Sequence, residues 1–424
     1  MKINFLNLID ILGVFMVEIS VVMPAYNAIE FLDEAINSII NQSFKDLEII
    51  CVDDGSTDNT LEVLQGYASK DDRIQVYHQE NQGAGGATNT GISKAKGKYI
   101  YLMDADDILD LHALEELYNI MEEKDLDFVI FKAISYDEDT KSYYEHDYYT
   151  MSLLHEVVGD SVFHWRDIGN RIFHISVTPW CKLYRHDLIK RSGAKFPLHL
   201  IYHDNIFFYE ILFNSNRLYF YDKFLYTRRV HSSSLVNSHN EKNVHSIETN
   251  NLIIKTFMDY GYFEDYKYML YNRKIHLVNF RYQLVKDEFK EYYFTETKKD
   301  YVKIIGHEKY EDFYSSLIEV NRALFDNVIN SDTHVEYDLR NEISQLKRDK
   351  VDLEKNKKNL ESTNTNLQNE INSLKKKNKK LNNKNKKLNK KINDLNKFNE
   401  SLLSSNSWKL TKSFRTVGNF LRKL

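Results

Sequence analysis

Two pairs of carboxylates stand where the chain is predicted to leave a buried strand. Asp53 and Asp54 follow one apolar run, and Asp104 and Asp106 follow another. At the first pair a carboxylate can accept hydrogen bonds from a base or a ribose. Asp104 and Asp106, one residue apart at a strand end, can converge on a hard cation, and Mg²⁺ or Mn²⁺ is typically held by one or two carboxylates plus substrate phosphates. Such a cation would neutralise a diphosphate leaving group. The alternatives are helix capping at the first pair and a solvated turn at the second.

The elements that position these carboxylates alternate between strands and helices. Strands are predicted over residues 19–23, 47–52, 73–77, 99–103 and 128–131. Apolar residues between the first two strands recur at the spacing of one helix face. This alternation predicts a mostly parallel, doubly wound α/β sheet, whose ligands lie beyond the carboxyl ends of the strands.

A glycine-rich segment, residues 81–91, lies between the two acidic pairs and is interpreted as a loop that enters a helix. The amides at the start of that helix would face phosphate. The segment lacks the lysine of a P-loop and the spacing of a dinucleotide-binding loop, so the sequence excludes both of those motifs.

The order and spacing of four motifs resemble the inverting family 2 glycosyltransferases, which have a Rossmann-like GT-A fold. The motifs are Val22-Met-Pro-Ala-Tyr-Asn27, Val52-Asp-Asp-Gly-Ser-Thr57, Asn81-x-Gly83 with Asn89-x-Gly91, and Asp104-Ala-Asp-Asp107. Further along, Trp180-x-Lys-Leu-Tyr184, His203-Asp204 and Arg229-x-His231-x-x-Ser234 also resemble family segments. The resemblance covers about residues 18–235.

The resemblance implies a role for each matching position. Asp204 would be the general base, Asp106 and Asp104 would hold the metal, and Trp180 would stack on an acceptor sugar. The nucleotide-sugar would be bound by Pro24, Tyr26, Asp53, Asp54, Asn89, Asp104, Arg229 and His231.

Three of these positions have structural alternatives, and two neighbours depart from the family. Trp180 is equally explained as a core residue, His231 as a hydrogen-bonded structural histidine and Asp204 as a helix cap. Thr88 stands where the family often has arginine, so that one donor contact is either lost or supplied by Arg73. His203 stands where the family usually has glutamate.

The distribution of charge separates an acidic body of the chain from a basic C-terminal tail. The net charge of −5 divides into −18 before Glu336 and +13 from there onward. The two cysteines, Cys51 and Cys181, exclude a disulfide framework and fit a reducing compartment. Residues 1–17 are apolar but too short for a predicted membrane span, and are interpreted as a weak interfacial helix or as a start codon placed before a true start at Met16.

A leucine recurs every seven residues from Leu339 to Leu402, with isoleucine, lysine and asparagine at the intervening a positions. Leucine at d with repeated asparagine at a favours a parallel two-stranded coiled coil. A solvated single helix or a disordered Lys/Asn-rich tract is the alternative.

The last residues combine apolar and basic side chains in the pattern of a helix lying in a membrane interface. They also resemble the Ser-Trp-(Lys/Arg)-Leu-Thr segment that ends many cell-surface glycosyltransferases, here Ser407-Trp-Lys-Leu-Thr411. Docking of this helix on its own catalytic domain is the alternative.

The sequence therefore predicts five segments: an apolar extension (1–17), a GT-A domain (18–240), a mainly helical extension (241–335), a coiled coil (336–403) and an amphipathic basic tail (404–424). The expected activity is metal-dependent, inverting transfer of a hexose from a nucleotide-diphosphate donor, UDP-linked, to a glycan or lipid-linked acceptor in cell-surface polysaccharide or glycoconjugate synthesis. We expect Mg²⁺ or Mn²⁺ as cofactor, a parallel homodimer, no nucleic-acid partner, and a cytoplasmic location peripheral to the inner face of the membrane. The competing hypotheses are a nucleotidyltransferase and a coiled-coil scaffold with an inactive head.

Overall fold

The computed structural model describes residues 17–231 and 240–422. These divide into two compact units, with the boundary between Asn341 and Glu342. The predictions for residues 1–16 and for Ser234 lie outside the described residues.

Nine strands of the described chain form one sheet. They are β1 (Ile19–Ala25), β2 (Leu47–Asp53), β3 (Ile74–His78), β4 (Tyr99–Leu102), β5 (Ile108–Leu109), β6 (Phe128–Asp137), β7 (Ser142–Tyr144), β8 (Lys182–Arg185) and β9 (Leu218–Val230). The order is β3-β2-β1-β4-β8-β6-β9-β5, and β7 pairs with β6.

The first four strands are parallel, and the rest of the sheet is mixed. β1 pairs in parallel with both β2 and β4, and all seven residues of β2 are buried, as expected for a strand covered on both faces. β8 lies antiparallel between β4 and β6. The prediction of a mostly parallel sheet is thus correct for the half built from consecutive strand–helix units. The other half differs because a strand from far along the chain inserts into it.

The sheet is flanked by helices that lie in the connections between its strands. These are α1 (Leu32–Ile40), α2 (Thr60–Ala68), α3 (Gly83–Lys94), α4 (Ala113–Lys124), α5 (Asp147–Thr150), α6 (Ser152–Val158), α7 (His186–Ser192) and α8 (Asp204–Phe213), with 3₁₀ turns at Trp165–His174 and Pro179–Cys181.

The glycine-rich segment belongs to α3 and is not the loop that the sequence predicted. Gly91 serves packing, because a Cβ at this position would lie 2.3 Å from Cγ1 of Val22 in β1. The glycine lets the helix lie directly on the sheet.

A helical extension completes the first unit. It comprises a 3₁₀ turn at Glu241–Val244 and the helices α9 (His245–Asp259), α10 (Phe263–Leu284), α11 (Asp287–Ile305), α12 (Tyr310–Ser316) and α13 (Glu319–Ile329). Its core is aromatic: Phe257 packs on Phe213 of α8, and Tyr301 stacks on Phe325. The extension therefore shares a core with the sheet domain through α8.

The remaining helices are α14 (His334–Ser404), α15 (Asn406–Leu410) and α16 (Lys412–Leu421). Within α14 the ten heptad leucines, Leu339 to Leu402, are 41–69% exposed. Helix formation is thus as predicted, while the pairing of two such helices stays a prediction. Across residues 17–231 and 240–422, none of the helices is long and apolar enough to cross a membrane.

Candidate active site

The carboxyl ends of β1 to β4 meet at one edge of the sheet, and five of the eight predicted donor-binding residues lie at the ends of these strands or just beyond them: Pro24, Tyr26, Asp53, Asp54 and Asp104. The first two loops are tied together: Asn27 donates its backbone N–H to Oγ of Ser56 (3.0 Å) and accepts the N–H of Thr57 at its Oδ1 (2.8 Å). Pro24 is half-buried near the end of β1, and Tyr26 just beyond the strand is 50% exposed. Tyr26 is therefore placed to contact a ligand, with Pro24 fixing the backbone before it.

Asp53 and Asp54 are buried at the end of β2, and each has one oxygen held by protein donors. Oδ2 of Asp53 lies 2.7 Å from Nδ1 of His78, and Oδ1 of Asp54 accepts Nε2 of Gln79 at 2.8 Å. The other oxygens, Oδ1 of Asp53 and Oδ2 of Asp54, are buried and have no hydrogen-bond partner among the described residues. Buried polar atoms are normally bonded, so these two are candidates for a ligand's donors.

Three carboxylates converge after β4, those of Asp104, Asp106 and Asp107, and one oxygen of each lies within 4.8 Å of the others. Partial desolvation, with the like charges of Asp106 and Asp204, raises the pKa of Asp104 to about 7. Because Asp104 keeps contact with solvent, repulsion among the carboxylates is the stronger of these causes. Oxygen donors at this spacing fit Mg²⁺ or Mn²⁺, and a bound cation would relieve that repulsion.

Asp107 anchors this cluster to β9 and was given no role by the sequence. Its Oδ2 accepts the hydroxyl of Tyr226, and its Oδ1 accepts the backbone N–H of Arg229, both at 2.7 Å. Burial, with the charges of Asp106 and Asp104, raises the pKa of Asp107 well above its ordinary value. With both oxygens engaged in protein bonds, Asp107 serves to position the carboxylates beside it.

The guanidinium of Arg229 is 5% exposed and bonded on three sides. It donates to Oε2 of Glu138 (2.6 Å), to Oε2 of Glu34 (2.5 Å) and, through Nε, to the carbonyl of Asp106 (2.9 Å). We call this group the Arg229 clamp. The predicted contact of Arg229 with the donor's phosphates is less well supported than a positioning role, because the clamp occupies its donors.

His231 lies at the end of a described segment and contacts the cluster directly. Its Nε2 is 3.0 Å from Oδ2 of Asp106, and its ring lies 4.7 Å from that of Phe31. The structure thus brings His231 to the candidate metal site and places it against a carboxylate that would also hold a metal. Its predicted contact with the nucleotide-sugar stays a prediction.

Asp204 begins α8, and its carboxylate is partly exposed beside His203. Nε2 of His203 lies 3.1 Å from Oδ1 of Asp204, and Nδ1 of His203 lies 2.7 Å from the carbonyl oxygen of Leu200. A carbonyl accepts only, so Nδ1 carries a proton. Burial lowers the pKa of His203, but the neighbouring Asp204 outweighs this effect and the pKa is raised overall. The imidazole of His203 therefore holds one oxygen of the Asp204 carboxylate.

Asn89 holds the segment that leads to this pair. Its Nδ2 donates to the carbonyl of Phe196 (2.8 Å), and its Oδ1 accepts the N–H of Phe196 (3.0 Å). Gly85 allows the same approach, since a Cβ there would lie 3.0 Å from Cβ of Phe196 and 3.4 Å from Cδ2 of His203. Asn89, predicted to bind the nucleotide-sugar, is therefore placed as a structural link between α3 and the segment that leads to His203 and Asp204.

Trp180 is 4% exposed and lies between two tyrosines. Its ring stacks on Tyr226 at 4.6 Å and contacts Tyr149 at 5.2 Å. This placement favours the core alternative over stacking on an acceptor.

The surroundings of Thr88 and Arg73 bear on the departure from the family pattern at position 88. Thr88 is buried and donates its hydroxyl to the carbonyl of Ala84 at 2.8 Å. Arg73 precedes β3, at the opposite edge of the sheet, and its guanidinium binds Asp71 at 2.7 Å. Of the two alternatives, this placement favours loss of the contact over its supply by Arg73, because the strand separates Arg73 from the site.

Comparison with known proteins gives matches over the same region. The family model described as glycosyl transferase family 2 matches residues 20–192. The chain is 36% identical over 214 residues to glycosyltransferase GlyG of Streptococcus pneumoniae serotype 4, covering 48% of this chain and 70% of that protein. It is 28% identical over 272 residues to cholesterol galactosyltransferase of Borreliella burgdorferi, covering 59% of this chain and 75% of that protein.

Among solved structures, S. aureus TarS 1–349 in complex with UDP-GlcNAc superposes with a TM-score of 0.58 at 20% identity, covering 78% of this chain and 92% of that one. At this identity the likeness concerns the fold. It confirms the predicted GT-A-like architecture, with the mixed sheet described above.

Proposed function

This chain belongs to glycosyl transferase family 2, and we propose that it transfers a sugar from a UDP-linked donor to a glycan or lipid-linked acceptor with inversion. The observation that carries the proposal is the convergence of Asp104, Asp106 and Asp107 at the same sheet edge as the unpartnered oxygens of Asp53 and Asp54. A site of this kind offers oxygen ligands for a cation, which would bind the diphosphate, and hydrogen-bond acceptors for a nucleoside. Diphosphate and nucleoside are the two halves of a nucleotide diphosphate.

The donor half is assigned to Tyr26, Asp53 and Asp54. Hydrogen-bond acceptors buried at a strand end suit the N–H of a base or the hydroxyls of a ribose, and an exposed tyrosine ring suits a base face. TarS was solved with UDP-GlcNAc, and we take UDP from that neighbour as the first nucleotide to test.

The diphosphate half is assigned to Asp104 and Asp106. These side chains would hold Mg²⁺ or Mn²⁺, which neutralises the charge that develops on the leaving diphosphate. His231 and the Arg229 clamp fix Asp106 from the side chain and from the backbone, respectively. Positioning matters here because a misplaced ligand loses much of its electrostatic effect on the transition state.

The transfer itself is assigned to Asp204. Its free carboxylate oxygen would accept the proton of an acceptor hydroxyl as that oxygen bonds to the anomeric carbon. The bond from that carbon to the nucleotide diphosphate breaks on the opposite face, which inverts the configuration. Positioned general-base catalysis of this kind contributes about 10²–10⁴ in rate.

A screen of UDP-sugars for hydrolysis and transfer, with Mn²⁺, tests this assignment. Asp204→Asn should lower turnover by about 10²–10⁴ while leaving UDP affinity within a few fold of wild type. Asp187→Asn is the matched control, since Asp187 also lies in the first turn of a short helix and is exposed. Equal turnover by wild type and Asp204→Asn would refute the assignment of the base.

We place the reaction in surface polysaccharide or glycoconjugate synthesis, on the cytoplasmic side of the membrane. An acceptor that is membrane-linked would explain a C-terminal tail suited to a membrane interface. The sugar, the acceptor and the linkage are to be identified by the same screen.

The second unit is proposed to pair two copies of the chain through a parallel coiled coil. The support is the uninterrupted helix α14 with its row of exposed heptad leucines. A single solvated helix of this length gains nothing from such a row, whereas a partner helix would bury it.

A further inference from the structure

The tail after the coil has no acidic residue to balance its charge. Beyond Glu400 the sequence contains five lysines and arginines and no aspartate or glutamate. Within α16, Phe414, Val417 and Leu421 recur at helical spacing and are 58–79% exposed. Lys412, Arg415 and Asn419 lie on the other side of the helix by the same spacing. A helix with one apolar and one basic face is suited to an anionic bilayer surface.

The residues at the a positions of α14 favour a parallel, in-register pair of helices. In a parallel, in-register pair each a position meets its own copy, so that Ile343, Ile371 and Ile392 meet isoleucine, and asparagine meets asparagine. A slip by one heptad would set Ile371 against Asn364 or Asn378. Since an asparagine opposite an apolar a residue is unfavourable, the pattern selects the in-register arrangement.

With one exception, the flanking positions are compatible with this register; the exception is Asp349 at g, which faces Glu354 at e and places like charges together. Glu342 and Glu370 at g face Lys347 and Lys375 at e of the other copy, which pairs opposite charges. The later lysines at g, Lys377, Lys384 and Lys391, face asparagines, and so avoid repulsion. At the end next to the tail Phe398 faces Leu403 of the other copy, and both are exposed in the single chain.

We infer that the paired coil acts as a bivalent membrane anchor, in which two tails bind an anionic lipid surface together and one tail alone binds it weakly. In a parallel pair both copies of Ser404 lie at the same end, where the helix axes are about 8–10 Å apart. The two tails therefore begin side by side. Binding of the second becomes intramolecular, and such avidity raises affinity by about 10²–10⁴. The inference rests on the proposed pairing of the coil and is independent of the donor site.

The full-length chain is tested for binding to vesicles of phosphatidylglycerol and phosphatidylcholine, with phosphatidylcholine alone as the neutral comparison. Replacing four d leucines by serine (Leu360→Ser, Leu367→Ser, Leu374→Ser and Leu381→Ser) should give monomers by sedimentation and lower vesicle affinity about 100-fold. These side chains are exposed in the single chain, so the catalytic unit should fold normally. Phe414→Ser with Leu421→Ser should stay dimeric and lose vesicle binding.

A rescue variant separates pairing from other effects of the serine substitutions. Adding Asn399→Cys to the four-serine variant and oxidising it should restore affinity to near that of wild type. Cys51 and Cys181 are fully buried, so the new thiol is the reactive one. Monomeric wild type would refute the pairing. The bivalent anchor would be refuted if the wild type were dimeric and did not bind anionic vesicles. It would also be refuted if the monomeric four-serine variant bound these vesicles as tightly as the wild type.

Discussion

Replacing Arg229 by methionine tests whether the Arg229 clamp holds the site together. The substitution keeps most of the aliphatic volume and removes a guanidinium that is 5% exposed and bonded to Glu34, Glu138 and the carbonyl of Asp106. Glu34 is 64% exposed, so its bond contributes at most about 1 kcal/mol. Glu138 also keeps contact with solvent, being 20% exposed, so its bond is screened in the same way.

We therefore expect Arg229→Met to lower the free energy of unfolding by about 1.5–3 kcal/mol, mainly through the lost bond to the carbonyl of Asp106, which for a domain of this size lowers the melting temperature by about 2–5 °C. UDP affinity in Mn²⁺ should also fall, because the backbone of Asp106 loses a donor. Thermal unfolding and nucleotide titration of one preparation measure both effects.

Arg228→Met is the matched control. Arg228 is the adjacent arginine of the same strand and lies over the ring of Tyr149 at 5.5 Å, a contact worth about 0.5–1 kcal/mol. An Arg229→Met variant with the melting temperature of wild type but no UDP binding would refute the clamp. It would establish Arg229 as a direct phosphate ligand, the role that the sequence predicted.

Three further outcomes are expected. His203→Gln should destabilise the protein more at pH 6 than at pH 9, by about 1–2 kcal/mol, because the raised pKa of His203 means that its pairing with Asp204 is fully present below pH 6.5 and is lost as pH rises; urea unfolding at both values measures this, and equal losses would contradict it. Asn89→Ala should cost about 2–3 kcal/mol and speed amide exchange around Phe196, whereas unchanged exchange would place the role of Asn89 in ligand binding instead. Truncation after Asn341 should give monomers by sedimentation, and a persistent dimer would show that the coil is not the main pairing element.

The strands and turns that the sequence predicted are those set by local pattern. β1, β2 and β4 are short apolar runs that end in proline or aspartate, and periodicity places them within two residues of their observed bounds. The sequence likewise predicts that the acidic turns after β2 and β4 lie close together, because parallel strands bring their carboxyl ends to one edge of the sheet.

The remaining features depend on residues far apart in the chain. Arg229 meets Glu34 across 195 positions and Glu138 across 91, and Asn89 meets Phe196 across 107. Nothing in the local sequence of Arg229 distinguishes a clamp from a phosphate ligand, since both need a cation near the acidic turn. Asp107 could have been suspected, because it extends the acidic run by one residue into a strand.

Calorimetric titration of UDP in the presence and absence of Mn²⁺ tests the central claim most directly, with GDP and CDP as base controls and Asp106→Ala beside the wild type. We predict that the wild type binds UDP with micromolar affinity only when Mn²⁺ is present. In Asp106→Ala we predict that Mn²⁺ no longer increases the affinity for UDP. The same UDP affinity in both proteins, with and without Mn²⁺, would contradict the assignment of the metal site. Failure of the wild type to bind any nucleotide would contradict the donor site and favour a scaffold with an inactive head.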